Sequence, residues 1–274
     1  MPSHLLEGKT AIVTGASSGI GRAIAEHMGL AGAHVFLSGR TESSMVESKT
    51  LITQAGGQAT VITADVRDVA QVRGLIASAV AETNRLDIMV NNAGLSYPAS
   101  ILEGEPEEWR SMLETNILAL LVGCQAAVKA MRACQSEGHI VNISSVAAQR
   151  RNSGVYGSTK HAVNSISSTL RDELEEDTIR VTNVMPGAIA TNFARNFDPE
   201  FVQTMAKMAG MEIELSKGDR LPPEALETLA GKMKSLLGNP NDVAKAVMYA
   251  VTQPIEVNIA DIVVRPPKSM TVPH

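Results

Sequence analysis

The chain has 274 residues, 44% of them hydrophobic, and carries a formal net charge of −5. That length and apolar content are enough for one substantial core. An acidic balance without a basic block argues against a nucleic-acid-binding surface. Its two cysteines, Cys124 and Cys134, have neither metal-site nor redox spacing, and the six histidines are scattered. No metal centre is therefore expected, and the thiols read as the reduced thiols of a cytoplasmic protein.

Taken from the N-terminus, "MPSHLLEGKT" lacks the apolar run of a secretory leader. Strands are then predicted at 10–14, 33–38, 59–65, 86–92, 139–145, 179–186 and 257–264. Most are nearly continuous in apolar residues, as strands covered on both faces must be. Helical patterns separate them, such as "GRAIAEHMGLAG" after the first and "VAQVRGLIASAVAE" after the third. Alternation of this kind predicts an α/β fold, a doubly wound Rossmann-type parallel sheet of seven strands in a single domain over 1–274. The longest apolar run, Ile117–Val128, falls short of the ~20 residues of a membrane span. Residues 192–238 contain no strand signal and interrupt the rhythm between the last two strands. Phe201, Met205 and Met208 recur there at i, i+4 and i+7, the spacing of an apolar helix face. We read the segment as a helical substrate lid inserted in the domain, with a plain core or subunit contact as the alternative.

The chemistry-bearing motifs begin with "TGASSGIG", residues 14–21. Three glycines, Gly15, Gly19 and Gly21, follow a strand and open a helix, which brings free backbone N–H groups and the positive end of the helix dipole to one point. Without side chains, the main chain lets a diphosphate approach closely. Farther on, Tyr156 and Lys160 stand four residues apart and so share one face of a helix. A tyrosine has an ordinary pKa of about 10. A neighbouring ammonium favours the phenolate, so the Tyr156 pKa is expected to fall toward a range useful to a general acid and base, although such a pair alone is common on helix surfaces.

"TGASSGIG", "NNAG" at 91–94, Asn116 in "LETNILA", "SS" at 144–145, "YGSTK" at 156–160 and "PG" at 186–187 together make the chain resemble the short-chain dehydrogenase/reductase family over residues 6–265. The C-terminal "VNIADIVVRP" is also similar to the NADP-dependent 3-hydroxy acid dehydrogenases of that family. The resemblance implies that Gly15 makes the turn and that Ser17, Ser18, Gly19, Ile20 and Gly21 cradle the cofactor diphosphate. It implies that Asp65 and Val66 meet the adenine, and that Asn92, Ala93 and Gly94 lie beside the adenosine ribose. Pro186, Gly187, Ile189 and Thr191 would flank the nicotinamide, and Lys160 would hold its ribose beside Tyr156. Asn116 is implied to hold a water linking Lys160 to solvent, and Ser145, or failing it Ser144, to polarise the substrate oxygen.

Where an acidic residue at the end of the second strand would bind the 2′-hydroxyl of NAD, this chain has Gly39 followed by Arg40, with Ser38 before them to add a hydroxyl donor to the cofactor. A guanidinium can pair with a 2′-phosphate, so the expected cofactor is NADP, and NAD is the lesser alternative. Substrate would meet Ser145, Tyr156, Ala147 and Ala188, near Ser96, Tyr97 and Val146. These largely uncharged walls suit a neutral ketone or its alcohol. The reaction implied is hydride transfer between a ketone and a secondary alcohol. Alternatives are an NAD-preferring alcohol dehydrogenase of the same fold and a nucleotide-sensing regulator without turnover. The apolar stretches 109–133 and 153–175 lead us to expect a homodimer or homotetramer without membrane or nucleic-acid partners.

Overall fold

A computed structural model describes residues 4–268. Its seven strands are β1 (Thr10–Thr14), β2 (His34–Gly39), β3 (Gln58–Thr63), β4 (Ile88–Asn91), β5 (Gly138–Ile143), β6 (Ile179–Pro186) and β7 (Asp261–Val264). They form one sheet in the order β3-β2-β1-β4-β5-β6-β7, and every pairing is parallel. The order reverses between β1 and β4, so a crevice opens beyond the carboxyl ends of those strands.

Adjacent residues of one strand serve opposite layers, which explains the unbroken apolar runs. Val13, Val35, Leu37, Val90 and Val184 face one cluster with Ile24 and Met28 of α1 (Gly19–Leu30), Met45 and Ile52 of α2 (Glu42–Gln54), and Val243 and Val247 of α9 (Pro240–Val251). Ile12, Phe36, Met89, Ile140 and Val181 face the other, with α3 (Val69–Thr83), α5 (Ala119–Cys134) and α6 (Gly154–Glu173). Each fully buried Ile, Leu or Phe stabilises the fold by about 1.5–3 kcal/mol relative to an exposed one.

Before α5, α4 (Pro106–Leu113) runs through a π turn, Glu114–Leu118, so that 106–134 is one helical span. By length and composition this span could cross a bilayer, although the sequence expectation counted only its apolar core. Here α5 packs Leu120, Cys124, Ala127, Val128 and Met131 into the second cluster. Trp109 packs on Gly104.

Two expectations need correction. The last strand begins at Asp261, not 257: Val257 N–H turns back to the Pro254 carbonyl, and only β6 is available as a partner at this sheet edge. In the 192–238 insertion, a 3₁₀ turn (Asn192–Asn196), α7 (Pro199–Met208) and α8 (Pro223–Lys232) enclose a small cluster of their own. Its α7 face runs through Val202, Met205 and Ala206 to Ala209, and Met208, expected on that face, is 66% exposed. The insertion leaves and returns through one parallel bridge, Ile189 with Gly238.

Candidate active site

A cleft of about 920 Å³ runs along the carboxyl ends of the strands and under the insertion. At its floor the glycine turn is fastened to β4. Thr14 Oγ1 accepts from the N–H groups of Asn92 (3.0 Å) and Ala93 (3.1 Å), and Asn92 Nδ2 donates to the Thr14 carbonyl at 2.8 Å. Gly15 has φ +67°, and a Cβ on it would lie 2.9 Å from Asn92 Nδ2. A Cβ on Gly21 would overlap both that amide and the Gly15 carbonyl. The N-terminus of α1 has neither a side-chain cap nor an acid in its first turn. Its unpaired N–H groups are therefore left to an anion in the cleft.

Gly39 and Arg40 follow at the edge of the same cleft, Arg40 exposed and without an ion pair among the described residues. A Cβ at Gly39 would already touch Ser17 Cβ at 3.4 Å and Met45 Sδ at 3.3 Å. A bare cradle, an uncapped helix start and a cation in place of a carboxylate fit a phosphorylated dinucleotide. Asp65 and Val66 also line the cleft, but the Asp65 carboxylate is taken by Arg67, which donates at 2.6–3.1 Å and holds it below the usual carboxylate range. Ser38 does not reach the cleft: it is fully buried on the Phe36 side of β2, and its hydroxyl has no partner among the described residues.

At the other end, α6 carries Tyr156 and Lys160 into the cleft. Lys160 Nζ lies 5.9 Å from the Tyr156 ring centroid and donates to the Ile143 carbonyl at 2.8 Å. The expected fall in the Tyr156 pKa is absent from the protein alone. Burial pushes the phenol up to about 12, and a hydrogen bond between the Tyr156 and Ser145 hydroxyls acts the other way. Lys160 is itself desolvated and drops to about 8, which weakens the charge that was to stabilise the phenolate.

The two serines separate cleanly. Ser144 Oγ donates to Asn164 Oδ1 at 2.6 Å and also approaches the Lys160 carbonyl at 3.2 Å. Ser145 instead caps the 3₁₀ turn Val146–Gln149, accepting from Ala147 N–H at 3.1 Å, and its hydroxyl donates to the Pro186 carbonyl at 3.5 Å. That turn closes the short loop before Tyr156, with Ser153 Oγ donating to the Ala147 carbonyl at 2.8 Å. Asn116 is not among the residues lining the cleft. Its amide donates to the Leu95 carbonyl (2.9 Å) and Thr159 Oγ1 (3.0 Å) and accepts from Leu95 N–H (3.0 Å). It thus pins the loop after β4 to α6 from inside a π turn, a deformation common near functional sites.

Gly94, Pro186, Gly187, Ala188, Ile189, Thr191, Ala147, Val146, Ser96 and Tyr97 all border the cleft. Thr191 spans from the insertion to the cradle, its methyl 3.0 Å from where a Gly19 Cβ would sit. Phe193 and Arg195 of the insertion, absent from the sequence expectation, line the cleft too, and the Phe193 ring stands 5.5 Å from that of Tyr156. A second omission is a row of buried amides. Asn91, Asn142 and Asn183 are in register across β4, β5 and β6. Asn91 donates to Asn142 at 2.9 Å, Asn142 to Ser167 at 3.0 Å, and Asn183 to Asn164 at 3.0 Å. The row locks α6 to the strand ends. Its signal was one asparagine late in each of three consecutive strand runs.

Glycine cradle, switch-point cleft and buried Tyr–Lys pair define a dinucleotide-binding α/β protein. The family model described as short chain dehydrogenase matches residues 9–200. An uncharacterized oxidoreductase of Staphylococcus saprophyticus is 35% identical over 265 residues, covering 95% of this chain and 98% of that protein. Another, of Methylorubrum extorquens, is 37% identical over 247 residues and covers 89% and 90%. Among solved structures, a metagenomic short-chain oxidoreductase in complex with NADP superposes with a TM-score of 0.74 at 28% identity, covering 96% and 98%. A short-chain dehydrogenase/reductase mutant of Serratia marcescens gives 0.77 at 26% identity, covering 97% and 99%. The chain belongs to the short-chain dehydrogenase/reductase family and is an oxidoreductase of that type.

Proposed function

We propose that the protein is an NADP(H)-dependent carbonyl reductase that interconverts a neutral ketone and a secondary alcohol. The observation that carries this reading is the Tyr156–Lys160 pair at the cleft wall, with Lys160 Nζ 5.9 Å from the ring centroid and the Ser145 hydroxyl beside the phenol. Ser145 orients and polarises the substrate oxygen, and Tyr156 delivers its phenolic proton to that oxygen as the carbonyl is reduced. A phenol with a pKa near 12 is neutral at physiological pH and so is loaded as the acid. Lys160 would bind the nicotinamide ribose, and its charge favours the phenolate that Tyr156 becomes once its proton has gone to the substrate oxygen. The reduced nicotinamide, when bound, supplies the hydride. The cradle of Gly15, Ser17, Ser18, Gly19, Ile20 and Gly21 holds the diphosphate. Asp65, Val66, Asn92, Ala93 and Gly94 border the adenosine, and Pro186, Gly187, Ile189 and Thr191 the nicotinamide.

The preference for NADP over NAD rests on Gly39 and Arg40, which offer a 2′-phosphate a cation and no opposing carboxylate. The NADP complex of the metagenomic relative agrees with it. We read the insertion as the substrate lid, since Phe201, Val202, Met205 and Leu226 line the cleft from its apolar side. Both cysteines are free, which suits a reducing cytoplasm. NADPH absorbance followed with a panel of ketones tests the activity. Consumption by the wild type that stops in Tyr156→Phe is the expected result; binding without consumption by any ketone points to a nucleotide sensor instead. Arg40→Asp should reverse the NADP/NAD ratio of kcat/KM, and an unchanged ratio removes the cofactor assignment.

A further inference from the structure

Asp65 is the only carboxylate among the described residues lining the cleft, and Arg67 already neutralises it. Against it the lining sets Arg40 just after β2, Arg150, Arg151, Arg265 and Lys268, and two guanidiniums of the insertion, Arg195 and Arg220. Arg195 is the unusual one. It is partly buried, its side chain donates only to the Asn192 carbonyl at 3.1 Å, and no acid pairs with it among the described residues. Burial, then the charges of Arg220 and Arg40, hold its pKa below the ordinary guanidinium range. A half-desolvated cation facing two like charges is costly unless an anion joins them.

The backbone around Arg195 is held over the cleft from both sides. Gly218 N–H donates to the Arg195 carbonyl at 2.7 Å, and Asn196 Nδ2 donates to the Ser96 carbonyl, across the cleft, at 3.3 Å. Lys217 closes the same crossing with an ion pair to Glu108 at 2.9 Å. The insertion therefore presents a guanidinium over the cleft, within electrostatic reach of Arg220, Arg40 and Tyr97.

We propose that Arg195 grips a phosphate of the dinucleotide from the lid side, so that the cofactor itself is what fastens the insertion across the cleft. The inference rests on the NADP(H) reading and adds to it a binding residue outside the cradle and outside β2. The ligand chemistry is a phosphate oxyanion, and two phosphates of the cofactor qualify: the 2′-phosphate, shared with Arg40, and the diphosphate, shared with the α1 N-terminus.

Equilibrium titration of Arg195→Gln with NADPH and with NADH separates them. Loss of a charge-assisted bond to phosphate weakens binding by about 10-fold or more. A loss confined to NADPH assigns the 2′-phosphate, and an equal loss for both assigns the diphosphate. Either outcome carries the proposal. NADPH should also slow hydrogen exchange over 192–238 in the wild type and do so less in Arg195→Gln. If the glutamine variant does not fold, Arg195→Lys, which keeps the charge and loses the fork, is expected to show a smaller loss in the same direction. Unchanged affinity for both cofactors, with or without a raised KM for ketone, overturns it. A wild type that binds neither cofactor would instead remove the NADP(H) reading itself, so the two failures are distinguishable.

Discussion

Tyr156 and Lys160 have proton affinities displaced in opposite directions by the same burial, to about 12 and about 8. Their separation leaves the phenol as the donor and the amine as a weakly held charge. Replacing Tyr156 by Phe keeps the ring against Phe193 and removes only the proton; steady-state turnover should fall by about 10²–10⁴-fold with NADPH affinity retained. Away from the site, His139 is buried on β5 and its pKa is lowered to about 4, by desolvation first and then by Lys9 and Arg180. Its folded value lies below the ordinary 6.5, so between pH 4 and 6.5 the unfolded chain binds more protons. The stability it contributes is complete above that window and is lost as pH falls through it. Melting temperature should therefore drop more steeply between pH 6.5 and 4 in the wild type than in His139→Leu, and parallel curves would contradict this.

Catalytic geometry depends on elements as well as on single groups, because α6 is set by the amide row that runs across β4, β5 and β6. Asn142→Ala takes one bond each from the Asn91 amide, left with Cys124 Sγ, and from the Ser167 hydroxyl, left donating to the Val163 carbonyl. Each hydrogen bond lost costs about 0.5–1.5 kcal/mol. The variant should melt lower and show a reduced kcat with cofactor affinity little changed, as calorimetry and titration together would reveal. Gly21→Ala acts on the cradle instead: its methyl overlaps Asn92 and Gly15. Overpacking of about 1–3 kcal/mol and a matching fall in NADPH affinity are expected there. Elements of this kind were legible in the sequence where one local rule governs them. Six strands were found nearly to their ends because burial on both faces leaves an uninterrupted apolar run, and Gly15, Gly19 and Gly21 stood out because a plain turn needs one glycine. The amide row, the rest of the Asn116 contacts and the cleft-lining Arg195 were not legible, since each depends on residues brought together from far along the chain. Ser38 failed for a simpler reason: strand alternation turns its hydroxyl away from the cleft that its neighbours line.

On the scale of the molecule, the helix Pro106–Cys134 leaves Leu113 49% exposed and Leu118 and Leu121 42% exposed after its inner face has met the sheet. We propose that copies of the chain pair through this uncovered face, within the 109–133 stretch that led us to expect an oligomer. Leu118→Glu combined with Leu121→Glu should convert the assembly to monomers by light scattering, and an unchanged mass would move the contact elsewhere. The insertion has a different relation to the whole. It departs and re-enters at Ile189 and Gly238, where Ala190 N–H donates to the Gly238 carbonyl at 3.0 Å and Gly238 N–H to the Ala188 carbonyl at 2.8 Å. Between those points it keeps a private apolar centre formed by Leu221, Ala225, Leu229 and Met233. A segment that leaves and re-enters at a single doorway and keeps its own interior behaves as an exchangeable cassette. Selection, or a protein engineer, can rewrite which molecules are admitted while the sheet and glycine cradle stay as they are.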